Sequence, residues 1–387
     1  MDRFPAWVEV SLDAMKWNID RIREHIPGNV RILLVVKADA YGHGAVRIAR
    51  FAAECDVHML GVATLDEGKE LREAGITLPI LILSPVLTEE LDHVLENGLA
   101  VTASTFDFAV EASRAAGRCG RPCALHVEVD TGMGRAGLGQ EEAIETIQKM
   151  KRLEGIELEG IFTHFPASDS DADFTRDQIA SFTGIVDTLQ EAGIAFTYIH
   201  CANSAAILNF PSSHFNMIRP GLLVYGHAPS VVLRDRIEVL PIMSFKTKLV
   251  LVRNMPTGAS ISYGRTYITP EPVKMGIVPV GYGHGMSHRL SNEGRMLFRG
   301  ERVPIIGRVT MDMTMIDLSE FPDAQVGEEV VIFGRQGEGE ITADHIAQWD
   351  GTLNYEVLCR ISKRVVRVYI KSGKVDSLKT LLGVHEV

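Results

Sequence analysis

Residues 32–44 read ILLVVKADAYGHG. The five aliphatic residues at 32–36 form an unbroken apolar run, which is typical of a strand buried on both faces in a parallel sheet. Lys37 follows directly, at the carboxyl end of the predicted strand, where α/β folds carry their catalytic groups. An ammonium group there is partly desolvated, so its amine can act as a nucleophile or a base. The alternative is a lysine that only extends from a strand end into solvent.

Segments typical of strands and helices alternate about eight times over residues 1–235. After Lys37, the pattern predicts a helix over 45–54, a strand over 59–64 and a helix over 66–75, and it continues in the same way. This rhythm predicts a closed (β/α)8 barrel of the TIM type, with an open doubly wound sheet as the alternative.

Residues 236–387 have a different pattern of apolar and turn-forming residues. Short apolar strands separated by glycine-rich turns begin near residue 240, and a single helix over 342–351 interrupts them before another strand at 364–370. The sequence therefore predicts a mainly β C-terminal domain.

Composition limits the classes of partner. The chain has 387 residues, 46% of them hydrophobic, and a net charge of −11, which argues against a nucleic-acid or anionic-membrane partner. There is no apolar run of transmembrane length, no signal-peptide pattern and no metal-binding motif. The five cysteines are an odd number in a chain too long to need disulfides, so we expect reduced thiols and a cytoplasmic protein.

The segment VVKADAYGHG at 35–44 resembles the cofactor-lysine motif of the alanine racemase family, which uses pyridoxal 5′-phosphate (PLP) and belongs to fold type III of the PLP enzymes. Other blocks of the family follow in the family's order along nearly the full chain. These blocks are DTGMGRAG at 130–137, THF at 163–165, NS at 203–204, RPGLLVYG at 219–226, SYGRTY at 262–267, GRVTMDM at 307–313 and NYEVLCRIS at 354–362.

The resemblance implies a set of cofactor residues: Lys37, Tyr41, His164, Ser204, Arg219, Gly221, Leu222 and Tyr355. Lys37 would bind the cofactor aldehyde, and Tyr41 would donate to the phosphate. Ser204 opens a predicted helix, so we expect it to cap that helix and to bind the phosphate. Gly221 and Leu222 would donate backbone N–H groups, and Tyr355 would limit the size of the substrate side chain.

Arg219 indicates the type of reaction. A guanidinium can only donate hydrogen bonds, so it would leave the pyridine nitrogen unprotonated and the ring a weak electron sink, which favours simple reprotonation. By resemblance His164 links Arg219 to a catalytic tyrosine, Tyr263, which serves as the second base from the partner subunit of an obligate homodimer. A phenol needs nearby cations to act as a base near neutral pH, and we expect His164 or Arg135 to supply that charge.

Arg135 and the backbone N–H of Met311 would bind the substrate carboxylate. Two positions depart from the family pattern. Glu128 stands where the family often has a carbamylated lysine that orients the arginine, and we expect its carboxylate to take over that task. His284 lies in GYGHG at 281–285, where an acid is usual.

The resemblance implies an alanine racemase that supplies D-alanine for peptidoglycan synthesis. Three alternatives stay open at this point: a racemase for serine or larger amino acids, an amino-acid decarboxylase on the same fold, and a PLP carrier without catalysis. The predicted β domain argues against the carrier.

Overall fold

The computed structural model describes residues 4–386, and the side chains of all of these except 231 and 384–386. The described residues form two compact units. One comprises residues 15–40 and 45–240, and the other comprises the described part of residues 1–14, 41–44 and 241–387. The first elements of the chain are strand β1 (Ala6–Ser11) and helix α1 (Leu12–Glu24).

The first unit is a closed parallel barrel. Its eight strands are β2 (Arg31–Val35), β3 (Met59–Val62), β4 (Ile80–Ile82), β5 (Ala100–Ala103), β6 (Cys123–Asp130), β8 (Ile156–Phe162), β9 (Tyr198–His200) and β10 (Met217–Ile218); a short strand β7 (Leu138–Gly139) pairs only with β6. The strands run in the order β5-β4-β3-β2-β10-β9-β8-β6, and β6 pairs with β5 to close the ring. The predicted barrel is confirmed, and the closing pair excludes the open doubly wound sheet.

Helices connect the barrel strands. They are α2 (Ala45–Glu54), α3 (Leu65–Glu73), α4 (Leu91–Glu96), α5 (Phe106–Cys119), α6 (Gln140–Met150), α7 (Ala172–Glu191) and α8 (Ser204–Asn209). Side-chain caps fix where several of them begin: the Thr64 hydroxyl accepts from the Glu67 N–H, and the Asp171 carboxylate accepts from the Phe174 N–H. None of the described helices has both the length and the apolar character needed to cross a membrane.

The apolar run at 32–36 behaves as its composition predicts. Ile32, Leu33 and Leu34 have no solvent exposure, so both faces of β2 are buried. Burying each such side chain stabilises the fold by about 1.5–3 kcal/mol. This burial keeps β2 in the interior of the barrel unit.

The second unit is mainly β, as predicted. Its strands are β1, β11 (Met243–Lys248), β12 (Leu251–Met255), β13 (Ser260–Ile261), β14 (Tyr267–Ile268), β15 (Val273–Val278), β16 (Arg295–Phe298), β17 (Glu301–Pro304), β18 (Thr314–Asp317), β19 (Glu329–Gln336), β20 (Gly339–Ile341), β21 (Val366–Lys371), β22 (Lys374–Thr380) and β23 (Gly383–Glu386).

The largest sheet of this unit follows the order β17-β16-β19-β11-β1-β21-β22-β23, with β20 added beside β19. In it β1 is antiparallel to β11 and parallel to β21. Two smaller sheets, β12-β15-β18 and β13-β14, and helices α9 (Ala343–Asp350) and α10 (Asn354–Cys359) complete the unit.

Candidate active site

Lys37 is half-buried just beyond the end of β2 and opens a backbone turn of unusual hand. The four residues 38–41 all have φ angles of 53–54°, the left-handed region. This conformation costs a non-glycine residue about 1–2 kcal/mol. Glu67 helps to hold the turn, because its Oε1 accepts the Ala38 N–H at 2.7 Å and its Oε2 accepts the Ala63 N–H at 2.7 Å. No pattern of residues in this segment predicts such a turn.

Arg219, just beyond β10, is buried in the barrel unit. Its Nη1 lies 2.7 Å from the His200 Nδ1, and its Nη2 donates to the Thr163 carbonyl at 2.7 Å. Its guanidinium carbon lies over the Phe162 ring, 5.2 Å from the centroid. Burial lowers the pKa of Arg219 to about 10, so the group stays charged at neutral pH.

His164 follows β8 and lies beside Arg219, with its Nδ1 3.2 Å from the Arg219 Nη2. Because a guanidinium only donates, the Nδ1 accepts, and a neutral ring then carries its proton on Nε2. Burial, aided by the positive charges of Arg219 and Arg135, lowers the pKa of His164 to about 3. The imidazole is therefore neutral near pH 7, so the expectation that His164 serves as a nearby cation is wrong, and Arg135 is left for that role.

Ser204 is the first residue of α8 but does not cap it. The cap is Asn203, whose side chain accepts from the Ala206 N–H at 3.0 Å, so the expectation that Ser204 caps this helix is wrong. The asparagine occupies the extended position before the first turn, where a cap must lie. The Ser204 hydroxyl instead accepts the Gly221 N–H at 3.2 Å. The N–H of the buried Leu222 makes no hydrogen bond to any residue in the described part of the chain.

Glu128 and Arg135 lie at the end of β6 and in the glycine-rich segment after it. Glu128 is buried, and its Oε2 has no hydrogen-bond partner among residues 4–386. Burial raises the pKa of this carboxyl, while the charges of Arg135 and Arg219 act in the opposite direction. No hydrogen bond or ion pair between these two described residues joins Glu128 to the exposed Arg135, so any influence of the carboxylate acts through space.

The other predicted site residues belong to the second unit. The rings of Tyr41 and Tyr355 lie 6.0 Å apart, and burial raises the pKa of Tyr41. Residue 42 is a glycine, and a Cβ at this position would clash with the Leu358 carbonyl oxygen. This contact explains the glycine in the motif in local steric terms.

Tyr263 and Met311 lie on loops that hydrogen bonds connect to their neighbours. The Ser262 hydroxyl donates to the Arg308 carbonyl at 2.7 Å, and the Gly283 N–H donates to the Met311 carbonyl at 2.9 Å. Tyr263 is 73% exposed and Met311 is 51% exposed. The Met311 N–H has no hydrogen-bond partner in the part of the chain that the structure describes.

Two buried histidines next to Arg219 were not among the predicted site residues. His200 ends β9 and His126 lies within β6, and both are fully buried. Their rings are 2.9 Å apart between the His126 Nδ1 and the His200 Nε2. A histidine within the apolar run CALHVEVD was the available signal, because a buried polar side chain needs a hydrogen-bond partner.

Comparison with known proteins identifies the class. The alanine racemase of Clostridium difficile 630 has the same architecture, with a TM-score of 0.94 and 38% identity over 98% of this chain and 99% of that one. An alanine racemase structure from Bacillus anthracis matches with a TM-score of 0.92 and 37% identity over 98% of both chains. These full-length matches to alanine racemases show that the chain is a racemase, an enzyme of the isomerase class.

The family follows from the sequence matches. The family model for the alanine racemase N-terminal domain matches residues 10–229, and that for the C-terminal domain matches residues 242–369. "Alanine racemase 2" of Caldanaerobacter subterraneus subsp. tengcongensis is 43% identical over 98% of both chains, and the alanine racemase of Halothermothrix orenii is 40% identical over 94% of this chain and 97% of its own. The chain belongs to the alanine racemase family.

Proposed function

We propose that the chain is a PLP-dependent alanine racemase that interconverts L-alanine and D-alanine, with Lys37 and Tyr263 as its two bases. The observation that carries the proposal is the buried guanidinium of Arg219, held beside a neutral His164 just beyond the carboxyl ends of barrel strands. Relatives are named alanine racemases, and one neighbour was solved with bound L-Ala-P, which supports a small amino-acid substrate.

The barrel residues fit a phosphorylated pyridine cofactor. The buried N–H of Leu222 and the hydroxyl of Ser204, with the Gly221 N–H beside it, would bind the phosphate. When bound, PLP supplies an aldehyde that captures amines and a ring that withdraws electrons from the carbon next to the amine. Lys37 would hold the aldehyde, and the family resemblance adds Tyr41 and Tyr355 to the cofactor residues.

Arg219 sets the electronic character of the site. Its guanidinium stays protonated at neutral pH and has only N–H donors, so it would donate to the ring nitrogen without protonating it. His164 accepts from Arg219 and keeps its own proton on Nε2, which it would offer toward Tyr263. A carboxylate in place of Arg219 would instead keep the ring nitrogen protonated. With a weaker electron sink, a carbanion at the substrate carbon would be short-lived. The arginine therefore favours return of a proton to that carbon over side reactions.

Inverting a stereocentre requires proton transfer on two opposite faces of the substrate carbon. The Lys37 amine would hold or release a proton on one face, and the Tyr263 phenol would do so on the other. Arg135 and the unpartnered N–H of Met311 would bind the substrate carboxylate and fix its orientation.

We also propose a homodimer with shared active sites. Tyr263, Tyr282, Met311 and Met313 are all exposed, and they lie on neighbouring loops of the second unit. Large side chains exposed together mark an interaction surface. In this arrangement one protomer supplies Lys37 and its partner supplies Tyr263 and Met311.

The biological role follows from the reaction. A racemase of this family in the cytoplasm would supply D-alanine for peptidoglycan synthesis. Turnover of alanine, serine and lysine measured side by side would test the substrate, and carbon dioxide release would reveal a decarboxylase. Faster turnover of serine or lysine than of alanine contradicts the proposal.

Two variants test the bases. Lys37→Ala should remove the visible absorbance of the lysine-bound cofactor together with racemase activity, and persistence of that absorbance would show that another lysine is used. Tyr263→Phe should keep the absorbance and slow racemisation equally in both directions, because each direction needs both bases. Exchange of the substrate α-hydrogen for solvent deuterium reports the abstraction step alone, and it should slow more for L-alanine than for D-alanine. Equal slowing of this exchange for the two enantiomers would mean that Tyr263 is not the base for one face.

A further inference from the structure

A line of hydrogen bonds crosses the barrel interior from Arg219 to the side chain of Glu159. The Arg219 Nη1 lies 2.7 Å from the His200 Nδ1, and the His200 Nε2 lies 2.9 Å from the His126 Nδ1. The His126 Nε2 lies 3.2 Å from the Glu159 Oε2. Both imidazoles are fully buried, while the Glu159 side chain is 26% exposed.

The chemistry of the two ends sets the direction of every bond. Arg219 can only donate, so the His200 Nδ1 accepts and the His200 proton is on Nε2. That N–H donates to the His126 Nδ1, which leaves the His126 proton on Nε2, facing the Glu159 carboxylate. Burial lowers the pKa of both histidines, so both rings are neutral and carry one proton each. The four groups Arg219, His200, His126 and Glu159 thus form one continuous series of donors and acceptors, which we call the relay.

The neighbouring residues pack closely against the two histidines of the relay. A Cβ at Gly160 would clash with the His126 Nδ1, so glycine makes room for the ring. Phe162 stacks on His200 with centroids 4.9 Å apart, and Tyr198 stacks on His126 at 5.7 Å. These aromatic faces exclude water from the hydrogen bonds, which strengthens them electrostatically.

Among the described residues, few charged groups besides Glu159 lie near the relay. On the Arg219 side, the charges of Glu128 and Arg135 bear on the guanidinium. On the outer side, Arg31 lies over the Tyr198 ring, 5.2 Å from its centroid. Within the described residues, no carboxylate forms an ion pair with Arg219. Glu159 is therefore the carboxylate that hydrogen bonds connect to this buried cation.

We propose that Glu159 is a positioning residue that acts through His126 and His200 to orient the Arg219 guanidinium and to balance its charge. The inference rests on the proposed function to the extent that Arg219 faces the cofactor ring. A relay of this kind supplies negative charge to a buried cation without a direct ion pair.

The test compares Glu159→Gln with Glu157→Gln in the holoenzyme labelled with ¹⁵N-histidine. Glu157 lies on the same strand and is exposed, so its variant makes the same charge change without touching the relay. In the unaltered enzyme, His126 and His200 should both show a bare Nδ1 and a protonated Nε2. In Glu159→Gln the Nε2–H proton of His126 should move upfield, and that of His200 should move the same way by less.

The kinetics provide the second readout. Glu159→Gln should lower kcat about fivefold to tenfold, as expected when a charged hydrogen-bond partner becomes neutral, with bound cofactor unchanged. Glu157→Gln should change neither the spectrum nor the rate. A protonated His200 Nδ1 in the unaltered enzyme, or a Glu159→Gln effect that stops at His126 and leaves kcat unchanged, would overturn the proposal. The histidine spectrum does not depend on racemisation. An intact relay in a protein without racemase activity would refute the proposed function and leave this inference standing.

Discussion

Replacing His200 by glutamine should make the barrel unit less sensitive to acid. Burial holds the pKa of His200 well below its ordinary value of 6.5, so the ring is neutral in the folded protein. The unfolded ring binds a proton near its ordinary pKa, so the unfolded state binds more protons below about pH 6.5, and the free energy of unfolding falls as the pH falls. For one such histidine the loss between about pH 7.5 and about pH 5.5 is about 1.4 kcal/mol.

The assay is urea denaturation of the unaltered protein and of His200→Gln at these two pH values. The variant will be less stable at both, because its hydrogen bonds to Arg219 and His126 are disturbed. The informative quantity is the loss of stability on acidification, to which the groups that the substitution leaves undisturbed contribute equally in the two proteins. That loss should be smaller in the variant by about 1.4 kcal/mol.

Gly184→Ala is the matched control. Gly184 lies inside α7, and a Cβ there would meet nothing within 4 Å, so the change should raise the free energy of unfolding by about 1 kcal/mol at both pH values. It removes no titratable group and should leave the loss on acidification unaltered. If His200→Gln lost as much stability on acidification as the unaltered protein, His200 would already carry a proton in the folded state. The His200 Nδ1 could then not accept a hydrogen bond from Arg219.

Three other substitutions give distinct outcomes. Gly160→Ala should destabilise the barrel by about 1–3 kcal/mol, because its methyl group would displace His126, and thermal unfolding that matches the unaltered protein would contradict the packing. Glu128→Gln should raise stability at neutral pH, since burial raises the pKa of this carboxyl, while lowering kcat/KM through Arg135; unchanged kinetics would limit Glu128 to a structural role. Ala38→Gly should raise the free energy of unfolding by about 0.5–1 kcal/mol by relieving a left-handed alanine, and a fall in stability would show that the turn is not strained.

Local patterns were sufficient for most elements of the fold. An apolar run that ends in Lys37 predicts a strand buried on both faces, and β2 has that character because its own residues dictate it. The helix predicted over 45–54 is α2 with the same bounds. Repetition of such units predicts the barrel, since only a ring or an open sheet can bury so many parallel strands.

The site was predicted unevenly. Family motifs singled out Lys37, Arg219 and His164, but the partners of Arg219 come from separate strands, and no local spacing shows which side chains meet inside a barrel. His200 and His126 lie far apart in the sequence and 2.9 Å apart in the structure. The cap of α8 is Asn203, one residue before the predicted Ser204. Sequence patterns locate the start of a helix only to within one or two residues.

The sequence by itself determined which segments are strands and helices, that a barrel precedes a β unit, and which lysine ends a buried strand. These properties depend on neighbours in the chain, and the order of apolar and polar residues records them directly. Only the tertiary structure decided that β1 lies between β11 and β21, that residues 38–41 turn with the left hand, and that a carboxylate reaches Arg219 through two imidazoles. Those features depend on contacts between distant segments, whose energies are fixed when the whole chain has packed.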